Sequence, residues 1–162
     1  MKKPRDPVTY TPEEALVRLQ NFCAFRERSE KEVADKLYKM GVQGEAAQKV
    51  IGQLREQGFI NEQRFSSAFA GGKFRSRKWG RVKIKAMLTG ARVGTAAIQS
   101  ALEQIPESEY RSELEKLMVK KLASIRDTDP YQRRHKLVRF AVGKGYEPDL
   151  VFELASKMIP EH

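Results

Sequence analysis

Between Lys73 and Lys85 the chain reads Lys73-Phe-Arg-Ser-Arg-Lys-Trp79-Gly80-Arg81-Val-Lys-Ile-Lys85, with seven cations in thirteen positions and no acid. Lys73, Arg75, Arg77, Lys78, Arg81, Lys83 and Lys85 are side chains that neutralise phosphates, and Trp79 among them is a ring on which a base can stack. The charge is concentrated there. No Asp or Glu occurs from Gln63 to Leu102, and the nine cations of that segment account for nearly all of the net charge of +10. A field so localised repels itself, and its commonest reason is a polyanionic partner. If about six side chains met phosphates, log affinity would fall with log salt at a slope of roughly −5. No Asn or Gln set marks a helix that reads base edges, so contact with DNA is expected to be sequence-tolerant. Phe74 is read as an anchor to its own core, while Trp79 suits either a core or a stacked base.

Arg133, Arg134 and Lys136 form a second cluster, read either as a solvated face or as an extension of the first surface. His135 between them keeps no site spacing with another ligand, and two histidines with one cysteine cannot close an ordinary zinc site. Cys23 reads as a small buried hydrophobe. Enzyme signatures are missing. Gly71-Gly72-Lys73 lacks the rest of a phosphate loop, no His-Glu-x-x-His or serine elbow occurs, and the most basic forty residues hold no carboxylates for two-metal chemistry. We therefore expect no catalytic residues, no metal and no cofactor.

The elements that must carry these cations are helical. Thr11-Pro12-Glu13-Glu14 is a capping box with proline at the first helical position, and Leu16, Leu19, Phe22 and Cys23 follow at helical spacing. Ser29 to Glu32 reads as a second box, Asn61 as the cap of a helix weakened by Gly71-Gly72, and Thr95 as the cap of another. Ser108 to Arg126 is the longest helical pattern. Asp129-Pro130 and Pro148 open the last two helices. The pattern yields nine helices and no strand, and it repeats, with Gly41, Gly90 and Gly145 each placed at a turn between helices. The fold class is therefore all-α: three tandem three-helix units resembling helix-turn-helix cores in an elongated array. Residues 1–10 are expected to be a flexible arm, with units at 11–58, 59–106 and 107–162. Charged residues at 32% and a mean hydropathy of −0.60 agree with a high surface-to-volume shape. No apolar run is long enough to cross a bilayer, and with one cysteine and no signal pattern the reading is a cytoplasmic protein.

Arg28-Ser29-Glu-Lys-Glu32-Val-Ala-Asp-Lys36-Leu37, followed by Gly41-Val42, is similar to an Arg-Ser-x-x-Glu-Leu-x-x-Lys-Leu segment and Gly-Val turn of the RecX family. Leu54 to Phe65, with Gly58, Asn61, Arg64 and Phe65, resembles that family's Leu-x-x-x-Gly-Tyr-Leu-Asp-Asp-x-Arg-Phe segment, and Gly80 to Ile84 its basic Gly-x-x-x-Ile helix. Asn61 replaces a usual Asp, Val33 a usual Leu, and Thr89-Gly90-Ala91 a Lys-Gly-Ile type turn; Asn still caps and Val still fills a core. The resemblance implies a non-enzymatic regulator of the RecA recombinase, and the chain is read as a monomer. Such a protein lies along the RecA–DNA filament and restrains its ATPase, strand exchange and co-protease activities, with single- and double-stranded DNA as further partners and no membrane.

Overall fold

The computed structural model describes residues 9–160, and among these the chain forms nine α-helices and no strand. They are α1 (Pro12–Phe25), α2 (Glu30–Lys39), α3 (Gly44–Glu56), α4 (Glu62–Arg77), α5 (Arg81–Gly90), α6 (Thr95–Glu103), α7 (Glu107–Ser124), α8 (Pro130–Gly143) and α9 (Pro148–Met158). Positions 1–8 of the expected arm lie outside the described residues. Its last residue, Tyr10, is tied down: its N–H donates to the Met40 carbonyl at 3.0 Å.

Local signals explain several helix starts. Thr11 and Glu14 close a reciprocal capping box, Asn61 accepts the Arg64 N–H at 2.8 Å, and Asp129 accepts that of Gln132 ahead of Pro130. Two starts differ from expectation. Ser29 accepts the Glu32 N–H, but the Glu32 carboxylate turns to Arg26 at 3.3 Å instead of returning to the cap, so only half a box forms. Gly94, not Thr95, precedes α6, and its N–H donates to the Glu62 carboxylate of α4 at 2.5 Å. A tertiary contact has replaced a local cap.

The glycine pair does not end α4, which runs through Gly71 and Gly72 to Arg77. Each glycine costs about 1 kcal/mol of helix propensity, but Phe65, Ser66, Ala70 and Phe74 are buried along the helix, and this packing outweighs it.

The turn inside each unit is the same 6→1 and 5→2 hydrogen-bonded closure. Val42 N–H donates to Leu37, Val93 to Leu88 and Tyr146 to Ala141, at 3.0, 3.1 and 3.3 Å. The left-handed residue before each is Gly41 (φ 79°), Arg92 (φ 62°) and Gly145 (φ 97°). The central turn is therefore built on Arg92, and Gly90 is only the last residue of α5. Matching glycine to glycine placed that repeat two residues early. An arginine occupies a conformation that costs an L-residue roughly 1–2 kcal/mol.

Two cores result, not three. In the first unit Leu19, Val33, Leu37, Val50 and Leu54 close around themselves. A single continuous core joins the second and third units, from Phe65 and Phe74 through Ile84 and Leu88 to Tyr110, Met118, Leu137 and Val151. Across the junction the rings of Phe74, Tyr110 and Tyr146 follow one another at centroid separations of 5.7 and 5.1 Å. The accessible surface of 10849 Å² exceeds the roughly 8,200 Å² of a compact monomer of this mass, which makes the array elongated.

Candidate nucleic-acid interface

The basic stretch spans the end of α4, a tight turn and the start of α5. Lys78 closes α4 in the left-handed region (φ 58°) and turns the chain so that Gly80 leads into α5. The free N–H groups at the start of α5 are satisfied from the third unit. Gly80 donates to the Lys144 carbonyl at 2.9 Å, Arg81 to the Tyr110 hydroxyl at 3.0 Å and Val82 to the Gly145 carbonyl at 2.9 Å. Gly80 and Gly145 permit this approach: a Cβ on Gly80 would lie 2.3 Å from the Gly145 oxygen, and one on Gly145 would lie 2.3 Å from the Lys83 Cβ.

Two of the cations are consumed in holding the junction. The Arg81 guanidinium lies 3.8 Å over the Tyr110 ring and pairs with Glu107 at 2.5 Å and Glu147 at 3.4 Å, while Tyr110 donates its hydroxyl proton to Glu147. Lys78 pairs with Glu113 of α7 at 3.1 Å, which holds that carboxyl below its usual range. Burial, reinforced by the bond to Glu147, pushes the Tyr110 phenol well above its ordinary value, and burial alone leads in pushing Tyr146 up to about 12. The Tyr146 hydroxyl is buried without a hydrogen-bond partner among the described residues.

The remaining cations separate into groups. Lys73 and Lys83 stand over the half-buried Trp79 at 5.3 and 4.5 Å, with Phe69 edge-on to its ring at 6.3 Å. Beside them Lys144 donates to the Arg77 carbonyl at 2.9 Å, a neighbour that appeared in the sequence only as the lysine of a Gly-Lys-Gly turn. Arg75 lies on another side of α4, its guanidinium against Gly71 in a depression that also holds Glu109. Lys85 lines a groove between α5 and α6 with Ile98, Leu102 and Glu103. None of Lys73, Arg75, Arg77, Lys83 and Lys85 forms an ion pair among the described residues. Phe74 is buried at 2% exposure and is a core anchor, as its spacing suggested.

In the third unit Arg133 is half-buried, Arg134 donates to the Ile159 carbonyl at 3.1 Å, and Lys136 pairs with Asp127 at 2.5 Å. Counted back from the left-handed turn residues, Lys136 stands where Lys83 stands in the second unit. A shallow pocket nearby gathers Lys121, Arg139 and Phe140, with Lys121 5.0 Å over the Phe140 ring. His135 is exposed, and among the described residues no group of three metal-ligating side chains is found.

The remaining motif residues set the first unit and its seam with the second. Arg28 is buried, donating to the Phe22 carbonyl at 3.0 Å with its guanidinium 3.7 Å over that ring; Lys36 lies 5.5 Å over the same ring. Leu37 is wholly buried, and Phe65 and Ile84 play the same part in the second unit. Arg64 reaches back across the seam to Glu27 at 2.9 Å and to the carbonyl of Gly58, which sits at φ 78°. Cys23 belongs to the first core, and burial pushes its thiol up.

The fold and the site together define a tandem array of helix-turn-helix-like three-helix units with a cationic turn at its centre. Family models for RecX match all three units: the first three-helix domain at residues 15–54, the second at 61–102 and the third at 109–154. The chain belongs to the RecX family. It is 32% identical over 139 residues to the "Regulatory protein RecX" of Oceanobacillus iheyensis, covering 85% of this chain and 51% of that protein. With the "Regulatory protein RecX" of Clostridium botulinum it shares 28% identity over 82% of this chain and 62% of the other, so it spans just over half of these relatives. The Streptomyces lividans "Regulatory protein RecX" is 26% identical over 98% of this chain and 82% of its own length. Crystal structures of a regulatory protein RecX and of RecX from Lactobacillus salivarius share the fold, with TM-scores of 0.82 and 0.79 at 20% and 19% identity. They cover 91% of this chain in each case, and 72% and 96% of the solved chains.

Proposed function

We propose that this regulatory protein is a non-enzymatic modulator of RecA that binds the RecA–DNA filament and restrains its ATPase, strand exchange and co-protease activities, and so acts in recombinational repair. The observation that carries the reading is the joining of RecX membership to cations at the central turn that have no internal carboxylate. Lys73 and Lys83 stand over Trp79, and Arg77 is exposed in the last turn of α4 just before it, where the carbonyl of Arg77 is held by Lys144 of the neighbouring unit; the surface is suited to phosphates and to sequence-tolerant single- and double-stranded DNA. The elongated array suits a filament groove, with units boundaried near residues 58 and 106 and the chain acting as a monomer.

The test is the DNA-dependent ATPase of RecA with the protein added well below the amount that coats the DNA. Restraint at that ratio is the expected result; restraint only at coating ratios would overturn the reading in favour of a DNA-binding protein that acts without a recombinase. Charge reversal at Lys73, Arg77 and Lys83 should lower DNA affinity at least tenfold and flatten its salt dependence. Arg81 and Lys78 are poor choices for this test, because their replacement would also break the junction.

A further inference from the structure

The first unit, outside the segment that holds nearly all the net charge, carries a cationic–aromatic groove of its own. It lies between α1 and α2, has a volume of about 710 Å³, and is lined by Tyr10, Phe22 and Phe25 together with Arg18, Arg28, Lys36 and Lys39. Leu19, Asn21 and Met40 complete the lining, and no carboxylate is part of it. Arg18 lies 4.6 Å over Tyr10, and Arg28 and Lys36 lie over Phe22, so two rings are already faced by cations. Phe25, the last residue of α1, is 84% exposed, and the Arg28 guanidinium stands 6.0 Å from its ring centroid. Arg18, Lys36 and Lys39 have no ion pair among the described residues.

We propose that this groove is a second nucleic-acid site, in which an unpaired base of a single strand stacks on Phe25 while its phosphates meet Arg18, Lys36 and Lys39. An open ring beside several uncompensated cations matches a ligand that is flat and apolar on one part and anionic on the next. Duplex DNA keeps its bases paired and stacked and offers Phe25 no face. An acidic peptide would neutralise the cations but leave the ring without a planar partner. Asn21 supplies an amide that can both donate to and accept from a base edge.

The site does not rest on the recombinase reading, and its test contains no recombinase. Anisotropy of a labelled oligothymidylate and of a duplex of equal length is measured with the full chain, with Phe25→Ala and Phe25→Tyr, and with Lys36→Glu/Lys39→Glu. Loss of one stacked base predicts about tenfold weaker oligothymidylate binding for Phe25→Ala, less than about twofold change on the duplex, and recovery in Phe25→Tyr. The double reversal should weaken the single strand further and lower its salt slope. Phe25 projects from the surface, so its replacement leaves the core intact, and circular dichroism checks this. Unchanged oligothymidylate binding, or an equal loss on duplex, would overturn the proposal; so would polyglutamate competing better than oligothymidylate for the groove, which would assign it to an acidic protein. A protein that failed here but still restrained RecA would lose this site alone.

Discussion

The first unit and the block formed by the second and third show how one repeat can be used in two ways. In the first unit the helices close on each other and its seam to the second is polar, the Arg64 pair with Glu27 and its bond to the Gly58 carbonyl. Between the second and third units the apolar core is continuous, and the start of α5 is capped by the neighbour's turn. An exposed ion pair is worth at most about 1 kcal/mol, whereas burying one large side chain is worth about 1.5–3. The first unit is thus tied to the second more weakly than the second is to the third.

Two natural reporters separate these regions. Cys23, buried in the first core, becomes reactive only when that unit opens, and Trp79, the single tryptophan, sits at the junction of the other two. The largest effect is expected from Gly145→Val: a left-handed φ of 97° and a Cβ against Lys83 should lower the Trp79 transition in urea by 3 kcal/mol or about that, with the Cys23 transition unmoved. A shift of both transitions together would show the two regions to be one cooperative unit.

Alkaline titration comes next. Tyr110 and Tyr146 ionise in the folded block only above their unfolded value of about 10, so their stabilisation is complete below that pH and is lost as pH rises through it, toward about 12 for Tyr146. The Trp79 transition should therefore fall by about 2 kcal/mol between pH 9 and 12, and the Cys23 unit, which has no wholly buried tyrosine, should fall less. Tyr110→Phe should cost about 1–2 kcal/mol, since it leaves the Arg81 N–H and one Glu147 oxygen without their partner, and it should shrink the alkaline loss. The smallest change is Arg92→Gly, expected to raise the midpoint of the block by about 0.5–1 kcal/mol by relieving the left-handed turn.

Much was legible in the chain itself. Helix caps at Thr11, Asn61 and Asp129 and apolar spacing are local signals that hold wherever the segment sits, so nine helices and an all-α class followed from them. The basic stretch was visible because charge is counted without knowing where it points. Family resemblance was legible for a related reason: Gly58 is held in a left-handed turn and Gly80 in a close backbone approach that few other residues satisfy, and Arg64 is fixed by its bonds to Glu27 and the Gly58 carbonyl.

What the sequence by itself determined, then, was helical content, repetition and the position of the charge. Tertiary structure alone decided which cations are spent inside the molecule, because Arg81 and Lys78 find their carboxylates on α7 and at the start of α9, far away along the chain. It also carried α4 through two glycines, put Arg92 in a glycine's place, and merged two units around Tyr110. Each of these outcomes is set by packing between distant segments, whose energy exceeds the local preferences that a linear reading can weigh.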